Sequence, residues 1–148
     1  MRIRASTEIA ATREAIWDYV TDPDRTEAFM AGVTRWDPVE GEPPRGLRAR
    51  YHVLMEVGSA EVGGIVEVVE YDPPADMAWV SITGPSQRGR WRLRERRGGR
   101  TELTLSLNYQ APGGLLGLVA DRLSGPLVSR NLRRTVAGIR RHHEDPFS

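Results

Sequence analysis

Polar and apolar residues alternate along most of this chain, and the period of the alternation marks its elements. Residues 2–10, RIRASTEIA, put Ile3, Ala5, Thr7 and Ile9 on one face and Arg2, Arg4, Ser6 and Glu8 on the other. That is the pattern of a strand buried on one side. The period then lengthens to a helical one in ATREAIWDYVTD. Thr12 is placed to cap it, Glu14 sits in its first turn, and Ile16, Trp17 and Val20 form the apolar face. Asp22-Pro23 breaks this helix and starts another. Asp is a favoured cap, and Pro loses no hydrogen bond at the first helical position. A second short helix is therefore predicted through PDRTEAFMA to Gly32.

From Val33 to Gln110 the period is two. VTRWDPVE reads as a strand ending at the turn cluster GEPPRG. LRARYHVLMEV puts Ala49, Tyr51, Val53 and Met55 on one face, against Arg48, Arg50, His52 and Glu56. AEVGGIVEVVEYD puts Val62, Val66 and Val68 opposite Glu61, Ile65, Glu67 and Val69, and its Gly63-Gly64 pair predicts a bend or bulge. MAWVSIT, QRGRWRLRERR and RTELTLSLNYQ complete the series. In the second of these, Arg88 to Arg96 oppose Gly89, Trp91 and Leu93; in the third, Leu103, Leu105, Leu107 and Tyr109 point inward. Turns as short as EVGSAE, YDPPAD, TGPSQ and RRGGR join antiparallel neighbours.

The helical period returns in the tail, where Leu116, Val119, Leu123, Leu127, Leu132, Val136 and Ile139 recur. Gly125-Pro126 predicts a kink within this helix. At 1.5 Å per residue such a helix spans about 40 Å, enough to cover a twisted sheet whose strands lie roughly 4.8 Å apart. The expected fold is α+β: about seven antiparallel strands, curved around a long C-terminal helix, with two short helices after the first strand.

Composition narrows the chemistry. The chain has 148 residues, which fits a single domain over 1–148. Its net charge of +1 gives no reason to expect nucleic acid as a partner. Every basic residue apart from His is Arg, so no lysine amine is available for a Schiff base. There is no Cys, which excludes disulfides, thiolate nucleophiles and Cys-based zinc sites. No segment has the length and apolarity of a signal peptide or a membrane span, so a cytoplasmic protein without integral membrane association is expected. The stripe Arg88, Arg90, Arg92, Arg94 and Arg96 is expected to pair across strands with Glu102, and with Glu61 or Glu67. His52 falls on the outward face, and His142 and His143 lie near the chain end. No metal-ligand spacing or phosphate-binding glycine motif is present, and no cofactor is expected.

The segment AATREAIWDYVTDPDRTEAFMAGV, with its order of helix, aromatic, Asp-Pro, aromatic and Gly-Val, resembles the helix-grip, or START-like, superfamily. The resemblance is to its polyketide cyclase/dehydratase and lipid-transport group. The Gly-Pro-rich gap before the last helix fits the same pattern. The resemblance implies a pocket between the concave face of the sheet and the C-terminal helix. Expected around it are Phe29, Met30, Trp36, Tyr51, Val53, Met55, Val66, Trp79, Ser81, Trp91, Leu93, Leu105, Leu107, Tyr109, Leu116, Leu123 and Leu127. Three Trp and two Tyr in this set suit a flat or aromatic ligand, although inward rings can also fill a core solid. GEPPRG, TGPSQRG and QAPGGLLG are expected to bound the entrance, with Gly113 and Gly114 as a gate.

Three functions follow. The first is a carrier or sensor of an apolar, aromatic, polyketide- or lipid-like molecule. The second is a polyketide aromatase/cyclase or dehydratase, for which Tyr51, Tyr109 and Ser81 are the polar groups on hand to orient enolates. The third is a protein-interaction domain with a filled core. Either a monomer or a homodimer is compatible with all three.

Overall fold

The computed structural model describes residues 1–110 and 114–145, and their side chains except those of Val57 and 114–124. Its elements are β1 (Arg2–Ile9), α1 (Arg13–Val20), α2 (Pro23–Phe29), β2 (Val33–Pro38), β3 (Arg50–Val57), β4 (Ala60–Asp72), β5 (Asp76–Ser81), β6 (Gln87–Arg96), β7 (Arg100–Tyr109) and α3 (Gly114–Glu144). The seven strands form one antiparallel sheet in the order β1-β7-β6-β5-β4-β3-β2. β1 and β2 are thus opposite edges, although only the two short helices separate them in sequence. α1 and α2 carry the chain from one edge to the other.

Local chemistry fixes this crossing. Thr12 Oγ1 accepts the Ala15 N–H at 3.2 Å, and Asp22 Oδ1 accepts the Asp24 N–H at 3.0 Å, so both helices start where their caps stand. Asp22 also pairs with Arg25 and with Arg45, which ties the loop after β2 to the start of α2. α2 ends at Phe29, short of the expected Gly32, because the chain leaves helical geometry at Met30.

The C-terminal half of α3 runs alongside β1 in the same direction. Met1 lies beside Gly125 at one end, and Glu144 accepts the Ala10 N–H at 2.8 Å at the other. The helix also meets the opposite edge of the sheet, with Asn131 against Gly32 and Leu127 against Gly58. Both edges of the curved sheet therefore close on one helix, whose inward residues are Val128, Leu132, Thr135, Val136 and Ile139. α3 continues through Pro126 as one element.

Two irregularities depart from the expected pattern. The β3–β4 register is unbroken across Gly63 and Gly64, which pair with Leu54 and Val53. These glycines serve close approach instead: a Cβ on Gly63 would lie 1.8 Å from the Val53 carbonyl oxygen, and one on Gly64 2.2 Å from that of Thr83. The bulge falls at Val69, where the β4–β5 register shifts. One extra residue there sends Glu70 outward to Arg90 and turns Tyr71 inward onto Trp17.

The far end of α3 docks through aromatic rings. His142 stacks on Tyr19 at 4.1 Å between centroids, His143 meets the same ring edge-on, and Arg25 sits 5.4 Å from its centre. Desolvation, then the neighbouring His143 and Arg25, hold the His142 imidazole below its usual pKa. The unfolded chain thus takes up this proton more readily than the folded one, so the stacked form contributes stability above the ordinary histidine range that is lost as pH falls below it. Thermal unfolding followed from pH 8 to pH 5 should show a falling Tm, with a shallower fall in His142→Gln.

Candidate functional site

The concave face of the sheet is lined with rings. Trp36 stacks on Tyr51 at 5.3 Å and meets Trp79 edge-on at 5.7 Å; Phe29, at the end of α2, reaches Trp91 at 6.0 Å. Alternation puts these groups on one side of β2, β3, β5 and β6, and curvature brings them together. Gly89 makes the arrangement possible. It pairs directly with Trp79, and a Cβ there would come 2.0 Å from the indole ring.

A small void remains between this layer and the helices. It is bounded by Met30, Ala31, Val33, Trp36, Val53, Met55, Trp79, Gln87, Leu105, Leu107, Leu132 and Thr135, and its free volume is about 20 Å³. That holds about one water molecule. Seven of the residues expected from sequence border it: Met30, Trp36, Val53, Met55, Trp79, Leu105 and Leu107. Phe29, Tyr51, Val66, Trp91 and Leu93 belong to the packing around it rather than to its wall. Leu127 is 42% exposed, on the rim beside Gly58. Leu116 and Leu123, and the expected gate at 113–114, lie outside the residues whose side chains are described.

The three polar groups expected to act in catalysis are engaged in structure. The Tyr51 hydroxyl donates to the Pro44 carbonyl at 2.9 Å, pinning the β2–β3 loop. Burial pushes its pKa up to about 12 against the opposing pull of Arg45, so it stays a neutral donor. Ser81 Oγ accepts the Gln87 N–H at 3.0 Å and closes the β5–β6 turn. The Tyr109 hydroxyl lies 3.5 Å from the Met1 sulfur, at the β1–β7 edge.

Two polar residues that the alternation did not single out border the void. Thr135 is buried, accepts the Ala31 N–H at 2.9 Å and donates to the Asn131 carbonyl at 2.8 Å, which locks α3 to the segment after α2. Gln87 shares its face of β6 with Gly89, Trp91 and Leu93, so extending that alternation one step back would have found it. Among the described residues no Asp, Glu, His or Arg borders this void, and no cluster of His, Asp and Glu could hold a metal ion. No helix among them is long and apolar enough to cross a membrane.

No curated protein matches the chain in sequence. Solved structures do match its fold. A Thermus thermophilus protein superposes with a TM-score of 0.82 at 20% identity, covering all of both chains. The ZhuI aromatase/cyclase of a Streptomyces species gives 0.79 at 16% identity, over 100% of this chain and 96% of that one. A START superfamily protein of Mycobacterium smegmatis gives 0.75 at 15% identity, over 95% and 97%. At such identities the likeness is one of fold, and fold alone does not assign activity. The family model described as polyketide cyclase / dehydrase and lipid transport, however, matches residues 1–144. A seven-stranded sheet closed on one long helix, with two short helices bridging its edges, is thereby joined to a sequence match over nearly the whole length: the chain belongs to the polyketide cyclase / dehydrase and lipid transport family.

Proposed function

We propose that the protein binds an apolar small molecule, aromatic, polyketide-like or lipid-like, between the sheet and α3, as a carrier or sensor. The observation that carries this reading is the wall of the void. It is built from aromatic and aliphatic side chains, with no ionisable group among the described residues that border it. Such a surface rewards burial of an apolar ligand and offers little to a charged one. A drug-sized ligand needs roughly 300 Å³ or more, so binding must enlarge the space. Met30 and Met55, unbranched and adaptable, are the wall residues best suited to move aside.

An aromatase/cyclase role finds support in the likeness to a Streptomyces aromatase/cyclase. The engagement of Tyr51 and Ser81 in the scaffold speaks against it. The test is a titration with N-phenyl-1-naphthylamine, a neutral aromatic probe whose emission rises in apolar surroundings. A saturable rise is expected, weakened about tenfold or more by Leu105→Phe, which fills the void. Met30→Ala should tighten it or leave it unchanged. An unsaturable rise, or binding indifferent to Leu105→Phe, would instead favour a filled interaction domain.

A further inference from the structure

The alternation that makes the inner face apolar makes the outer face basic. Arg2 and Arg4 on β1, Ser106 and Asn108 on β7, and Arg88, Arg90 and Arg92 on β6 all stand there. The register aligns them in rows across three strands. Asn108 pairs with both Arg2 and Arg88, and Ser106 with both Arg4 and Arg90. This face holds an open trough of about 810 Å³, walled by the side chains that stand on it.

The two ends of the trough differ in charge. At one end carboxylates neutralise the stripe: Asp76 with Arg90, Arg92 and Arg94, Glu70 with Arg90, and Glu102 with Arg96. At the other end the side chains of Arg2, Arg4 and Arg88 make no ion pair or hydrogen bond with any described residue. The strand beside Arg88 and Arg90 supplies Val80 and Ala78, not an acid. Three exposed guanidiniums thus surround a carboxamide and a hydroxyl that can also donate.

We propose that this end of the trough binds a small anion carrying two or three phosphate or carboxylate groups. Guanidinium forks pair with both groups bidentately, and no carboxylate competes within the Arg2–Arg4–Arg88 set. The size of the ligand follows from the surroundings. A long polyanion laid along the trough would run onto Glu70 and Glu102. Single-stranded nucleic acid would also lack a stacking platform, since Trp79, the one ring among the described residues that border the trough, packs inward against Trp36. A second copy docking the same face would bring arginines against arginines. The site is on the opposite side of the sheet from the aromatic void and does not depend on it.

The test is calorimetric titration of the full chain with pyrophosphate and with citrate at low ionic strength. Saturable binding of at least one anion, near one equivalent, is expected. Arg2→Ser, Arg4→Ser and Arg88→Ser combined should weaken it about tenfold or more, with an unchanged Tm in the absence of anion. A matched control, Arg97→Ser, Arg130→Ser and Arg134→Ser, removes the same charge outside the trough and should leave binding within about twofold. Preference for pyrophosphate assigns a phosphate ligand, and preference for citrate a polycarboxylate. No saturable binding of either anion, or equal weakening in both triple variants, would overturn the proposal.

Discussion

Trp91→Ala is expected to cost about 4 kcal/mol of stability, and to lower Tm by roughly 10–15 °C for a chain of this size. Trp91 is 1% exposed and the largest of the fully buried side chains. It pairs across the sheet with Met77 on one side and Leu105 on the other, and Phe29 seats its ring against it from α2. Truncation removes a ring contact between α2 and the sheet and leaves a hole that the paired strands cannot collapse into. Trp91→Phe should recover more than half of the loss. Urea unfolding monitored by circular dichroism reads both variants. A loss under about 1 kcal/mol for the alanine variant would mean that this ring is not a keystone of the core.

The second large effect is electrostatic. Asp76→Ala is expected to destabilise the protein by about 2 kcal/mol. Its carboxylate is buried and takes Arg90, Arg92 and Arg94 at 3.0–3.3 Å, while those guanidiniums remain a third to a half exposed. Water therefore offsets part of their loss, which holds the figure below that of a fully buried pair. Burial alone would raise the Asp76 pKa, but hydrogen bonds from Arg92 and Arg94 outweigh it and the net shift is downward. A lowered folded-state pKa means that the unfolded chain binds the proton more tightly. The stabilisation is then fully present above the ordinary carboxylate range and lost as pH falls through it. The difference in stability between wild type and Asp76→Ala should be near its maximum at pH 7 and should shrink towards pH 3. A difference independent of pH would assign the effect to packing.

The same residue shows how far the sequence could be read. The period-two runs, both caps, the Asp-Pro break and the helical tail were legible because each is a local pattern with one geometric solution. Of the partners of the arginine stripe, Glu102, which pairs with Arg96, was legible and the others were not. Glu61 and Glu67 were expected on that face, but Glu67 pairs with Arg50 and Glu61 bonds Thr34. Asp76, which reads as the end of the turn YDPPAD, opens β5 and takes three of the five arginines. Glu70 joins them because the Val69 bulge reverses the alternation, and nothing local marks that residue as the extra one. The candidate site divides in the same way. Alternation found the inward-facing residues, but only curvature decides which of them border a void and which pack behind it. Tyr51 and Val53 share a face of β3, yet the hydroxyl of the first is spent on Pro44 while the second borders the void.

The central claim is that an apolar molecule enters between the concave face of the sheet and α3. Methyl-resolved NMR during titration with N-phenyl-1-naphthylamine tests it most directly. Shifts concentrated on the methyls of Met30, Val53, Met55, Leu105 and Leu132, saturating together, are the predicted result. Shifts confined to surface methyls such as those of Leu47 and Ile82, with the five interior groups unmoved, would contradict it.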